Sequence, residues 1–263
     1  MNFIERNGAG LRYELSGQGD RTIVLVHEMG GSLESFDEVG PILARTRRVL
    51  RYDTRGAGLS TKVRGVLSID TMADDIAALL DATGIAGKVA LMGVAVGGAI
   101  ALHFAARHPA RVSAVVAGSP AISVDADRKD ALLARVAEIE AKGMAVAVEA
   151  SMQNGYVPEL RGNAARFNAF RARWLGNDPA SYATIYRMLV GMNLANELSQ
   201  LKCPVLVIGG ELDRVRPAEL SQTTASGIPS ARFKALRTGH YMAVQTPELI
   251  AGTITEFLKS VDA

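Results

Sequence analysis

The chain has 263 residues, 48% of them hydrophobic and 21% charged, which suits one domain with a sizeable core and a small insertion. Its 29 basic and 27 acidic residues leave a net charge of +2, so charge gives no reason to invoke nucleic acid or an anionic membrane as a partner. A single cysteine excludes an internal disulfide, no apolar run approaches the ~18 residues of a membrane span, and Met1-Asn2-Phe3-Ile4-Glu5 lacks a signal-peptide pattern, so a cytoplasmic protein is expected.

In chain order, Asn7-Gly8 between short extended segments over 4–15 predicts an edge hairpin. The β-branched run Thr22-Ile23-Val24-Leu25-Val26 predicts a central strand, which ends in His27-Glu28-Met29-Gly30-Gly31-Ser32. A short helix is expected around Phe36 and 41–44, and the next strand over 48–52. That strand leads into Asp53-Thr54-Arg55-Gly56-Ala57-Gly58-Leu59-Ser60, where Asp53 and Arg55 read as loop stabilisers; His27 likewise reads as a hydrogen-bonded structural residue. Met72, Ile76, Leu79 and Leu80 at helical spacing predict a helix from Ile69 to Thr83, capped by Asp70 or Thr71 and closed by Gly84.

Residues 89–94 form a buried apolar run that crosses a Gly-x-Ala-x-Gly-Gly turn at Gly93, Ala95, Gly97 and Gly98 into a small-residue helix. A strand reversing sharply into a helix needs small neighbours where the backbones pass. Another strand, 111–118, follows, and the strand–helix alternation argues for a parallel sheet covered on both faces.

Between 122 and 200 no strand is evident. Helices are expected over 127–150, with a break near Gly143, and over 163–174 and 180–192. This segment carries the only tryptophan, Trp174, and five arginines, Arg161, Arg166, Arg171, Arg173 and Arg187, which read mostly as solvated helix faces, with bidentate contact to a substrate carboxylate as the alternative for one of them. Trp174 either lines a pocket or packs the helices on the sheet. The sheet resumes at 201–210, with Cys203 as a packed thiol, and a last strand at 231–236 precedes a helix that starts at Pro247.

These pieces resemble the α/β-hydrolase superfamily over nearly the whole chain. The turn around Ala95 has the Gly-x-Ser-x-Gly layout of the nucleophile elbow, with alanine in place of serine. The resemblance implies an α/β fold, a mostly parallel central sheet flanked by helices, with a core of 1–121 and 201–263 and a helical cap of 122–200. It implies that Asp213, in Gly210-Glu211-Leu212-Asp213-Arg214-Val215-Arg216-Pro217, is the acid, and that His240, in Thr238-Gly239-His240, is the base. It also implies an oxyanion hole from the Met29 and Val96 N–H groups. Glu28 departs from the usual glycine and sets a carboxylate beside the pocket, unless it is simply a surface carboxylate; Glu28 and Trp174 are the expected substrate contacts.

The stretch Asn177-Asp178-Pro179-Ala180-Ser181-Tyr182 is similar to 3-oxoadipate enol-lactone hydrolases. A hydrolase of a small carbonyl substrate (ester, lactone, amide or C–C bond) is therefore expected, the substrate anionic if a cap arginine takes part. Three readings of Ala95 stay open: a serine replaced to leave an inactive, substrate-trapping form; a native His240–Asp213 dyad doing lyase, isomerase or cofactor-free oxygenase chemistry; or a pocket that binds without turnover. Neither metal-ligand spacing nor a nucleotide loop is present, so no cofactor is expected, and the oligomeric state is open.

Overall fold

The computed structural model describes residues 2–262. Eight strands form one sheet in the order β1-β2-β4-β3-β5-β6-β7-β8. Strand β1 (Asn2–Arg6) and strand β2 (Ala9–Ser16) make the antiparallel edge, joined by Asn7 and Gly8 at φ +52° and +71°, the left-handed pair that a tight hairpin turn requires. Strands β3 (Thr22–Val26), β4 (Arg48–Tyr52), β5 (Val89–Val94), β6 (Val112–Gly118), β7 (Val205–Gly210) and β8 (Ala231–Leu236) run parallel. Strands β3, β5 and β7 are buried throughout, which is why they read as unbroken apolar runs.

Helices cover both faces. On one side lie α1 (Val39–Leu43) and a long C-terminal helix (Pro247–Val261), whose Ile250, Ile254 and Phe257 pack with Ile23, Met92 and Val116. On the other lie α2 (Ile69–Ala82) and α3 (Val96–Arg107), with Ile76, Leu79, Ile100 and Phe104 against Val24 and Leu91. Helix α2 starts one residue earlier than its expected cap. Ser68, not Asp70 or Thr71, is the N-cap, and its hydroxyl accepts from Thr71 N–H at 3.1 Å.

Between β6 and β7 the chain runs through α4 (Ala126–Lys142), α5 (Ala145–Gly155), α6 (Ala164–Leu175), α7 (Pro179–Gly191) and the short α8 (Ala195–Leu198). The expected break falls at Gly143, with φ +85°. Asn163 and Asp178 cap α6 and α7 through their side chains. This helical layer has its own aromatic cluster, in which Trp174, Phe170, Tyr156 and Tyr182 pack on Tyr241. Its later part joins the main core through Ile185, Met188 and Leu198. Two further helices are α9 (Ala218–Ser226) and α10 (Met242–Gln245), among the described residues, and the C-terminal helix already described is α11.

Candidate active site

Ala95 sits between β5 and α3 with φ +52° and ψ −113°, a conformation L-residues rarely adopt and one that costs of order 1–3 kcal/mol. The strain is held from several sides. Ala95 N–H donates to Gly118 C=O at 2.8 Å, and its own C=O accepts from Ala99 and Ala121 N–H. The glycines make the reversal possible: a Cβ on Gly93 would stand 2.1 Å from the Gly97 carbonyl oxygen, and one on Gly97 would stand 2.2 Å from that of Val26. The turn therefore keeps the sharp geometry that lifts a side chain out of the sheet, with only a methyl group on it.

Ala95 and His240 line the same cavity, of about 660 Å³, with Met29, Val96 and Trp174. Behind His240 stands Asp213, whose Oδ2 accepts from Nδ1 at 2.8 Å. The other oxygen, Oδ1, accepts from Val215 and Arg216 N–H at 2.9 and 2.8 Å, so the loop closes on the carboxylate. Burial alone would push the Asp213 carboxyl up. The imidazole of His240 and the Arg216 N–H outweigh it and hold the carboxyl below its ordinary value. With Nδ1 engaged, Nε2 of His240 is the ring nitrogen left for the cavity. Neither Met29 N–H nor Val96 N–H has an acceptor among the described residues, and Val96 is the first residue of α3, where the helix end favours negative charge.

Trp174 is buried and does both things the sequence left open: it lines the cavity and also packs on the core. Its indole covers Gly30 so closely that a Cβ there would lie 2.3 Å from Cε2. Its Nε1 has no partner among the described residues. The Asn177–Tyr182 stretch ties this layer down, since Asn177 Nδ2 donates to Gly30 C=O at 2.9 Å. Tyr241, next to His240, completes the wall; burial keeps its phenol far above the ordinary range.

Glu28 is a correction on both counts. It is no surface carboxylate, being 1% exposed, and it does not line the cavity. Its side chain folds back under its own loop, where Oε1 accepts from Ser35 Oγ at 2.7 Å beneath Gly31. The five cap arginines also lie outside the cavity lining. Arg166, Arg171 and Arg187 are paired with Glu38, Glu149 and Glu140, and Arg161 donates to the Tyr156 and Met152 carbonyls. The arginines at the cavity are Arg128, Arg135 and Arg216 instead. Arg216 was within reach of sequence reasoning, three residues after Asp213 on the acid's loop.

His27 is structural. Its Nε2 accepts from Thr54 N–H at 3.0 Å, so Nδ1 carries the proton given to Glu28 C=O. Asp53 organises its loop by accepting from Leu33 and Leu59 N–H. Among the described residues no helix is long and apolar enough to cross a membrane, and no group of His, Cys, Asp and Glu is arranged to hold a metal ion.

Comparison with known proteins identifies the family and the fold. The family described as "Serine aminopeptidase, S33" matches residues 17–240. The 3-oxoadipate enol-lactonase 2 of Acinetobacter baylyi is 24% identical, over 95% of this chain and 93% of its own length. The enol-lactonase of Burkholderia xenovorans superposes with a TM-score of 0.92 at 25% identity, covering 98% of this chain and all of that one. A malate-bound thermophilic esterase from Thermogutta terrifontis gives 0.91 at 25% identity, covering 97% and 95%. The chain thus belongs to the S33 serine aminopeptidase family of α/β-hydrolase-fold hydrolases.

Proposed function

We propose that the cavity is the site of a hydrolase for a small carbonyl substrate, an ester, lactone, amide or activated C–C bond, and that every part of it is in place except the attacking hydroxyl. The observation that carries this reading is the strained turn at Ala95, facing one cavity together with His240 and two N–H groups that lack acceptors. In a serine form, His240 Nε2 takes the hydroxyl proton, Asp213 steadies the imidazolium, and Met29 and Val96 N–H receive the oxyanion. With Ala95, no acyl-enzyme can form. The chain as written holds its substrate, and the cleavage left to it is attack by a water that His240 deprotonates.

A panel of activated esters tests this. Ala95→Ser is expected to raise cleavage by at least about 10³-fold, and the added His240→Ala change to remove the gain. No gain with any ester sinks the reading.

The intact His240–Asp213 pair favours a second reading, in which the dyad acts alone on a substrate proton in a lyase, isomerase or cofactor-free oxygenase reaction. Turnover by the Ala95 chain that disappears in His240→Ala, with no ester gain from Ala95→Ser, selects it.

A further inference from the structure

Arg166, Arg171, Arg187, Arg214 and Arg64 lie outside the cavity, and each holds a carboxylate: Glu38, Glu149, Glu140, Glu159 and Asp178 in turn. Arg161 and Arg173 also lie outside it without an ion pair among the described residues, Arg161 bonding the Tyr156 and Met152 carbonyls. The three that line the cavity, Arg128, Arg135 and Arg216, form no ion pair among the described residues. Arg135 reaches only the Ala147 carbonyl, at 3.5 Å. Arg216 makes no side-chain hydrogen bond, and its Nε is sealed from solvent without an acceptor. Leaving a buried donor of a charged group unmatched is costly, and among the described residues Arg48, Arg111, Arg173 and Arg216 each have such an Nε; of these, Arg216 is the one that lines the cavity.

Resting on the reading of this cavity as the substrate site, the geometry points to Arg216, with Arg128 beside it, as the receptor for a carboxylate carried by the substrate. The substrate class is therefore a small ester, lactone or amide with an anionic end. The Arg216 backbone N–H is bonded to Asp213 Oδ1, which places the residue on the same loop that orients His240. A planar fork suits a carboxylate better than a point charge would. Burial pushes the Arg216 guanidinium down from its ordinary value, and Arg128 adds repulsion that Asp213 and Asp125 offset. An anion between the two arginines relieves both. Asp125 also borders the cavity, so the lining carries three arginines against one carboxylate.

The Ala95 chain suits the experiment, because a ligand can be titrated without an acyl-enzyme forming. Calorimetric titration with monoethyl succinate and with diethyl succinate compares an anionic with a neutral end on one frame. The monoester is expected to bind at least about 10-fold tighter, and the margin to shrink as salt is raised. Arg216→Gln should abolish the preference by weakening monoethyl succinate binding; Arg216→Lys should restore part of it. Arg166→Gln, which removes a paired arginine outside the cavity, should change nothing. Equal binding of the two esters, a preference that survives Arg216→Gln, or no binding of either overturns the assignment. Ester cleavage by Ala95→Ser reports separately on whether the hydrolase reading stands.

Discussion

At the scale of single residues, the site is governed by which atom faces which. Asp213 offers one oxygen to two backbone N–H groups and the other to His240. An asparagine keeps the first contact, but it presents an NH2 group to the imidazole and so turns the ring to the wrong tautomer. In the Ala95→Ser background, Asp213→Asn is expected to lower kcat by about 10⁴-fold with little change in KM, read by steady-state kinetics on the best ester. Cys203 makes a contrast: it is half-buried, and burial pushes its thiol up, away from reactivity, as its place before an apolar strand suggests.

At the scale of elements, the loop after β4 shows how support reaches the site. Arg55 Nε donates to Asp75 Oδ2 on α2 at 2.9 Å, its Nη2 donates to Oδ1 at 2.6 Å, and the same Nη2 also reaches Asn7 C=O. One guanidinium thus clamps the loop, α2 and the edge hairpin together, with Asp75 1% exposed. Asp75→Ala strands a buried cation and should cost about 3–5 kcal/mol in urea unfolding; replacing both partners with apolar residues should cost far less.

The sequence pattern exposed Arg55 as a loop stabiliser but not its partner, because Asp75 lies on the buried face of an amphipathic helix where an apolar residue is the norm. The strands and the elbow were legible for a plain reason: parallel strands buried on both faces leave unbroken apolar runs, and a tight reversal leaves glycines. The inward direction of Glu28 and the pairing of the cap arginines were not legible. Both depend on which distant carboxylate or hydroxyl a side chain meets, and no local period records that.

At the scale of the whole molecule, several carboxylates are held below their ordinary values against the opposing effect of burial. These are Asp213 beside His240, Glu34 beside Ser32 and Arg12, and Asp178 beside Ser181 and Arg64. Each binds its proton more weakly folded than unfolded. Each therefore adds stability that is fully present above the unfolded value, about 4, and that is lost as pH falls through the lower folded value. The urea midpoint should drop as pH falls below about 4. Asp213→Asn should flatten part of that drop; an unchanged acid limb would mean that Asp213 takes no share in it.

The molecule also carries its own optical gauge. Trp174 is the only indole in the chain, it forms a wall of the cavity, and its ring nitrogen has no acceptor among the described residues. A ligand that fills the space beside Ala95 displaces the medium around that fluorophore. Occupancy can thus be followed by emission from the unlabelled protein.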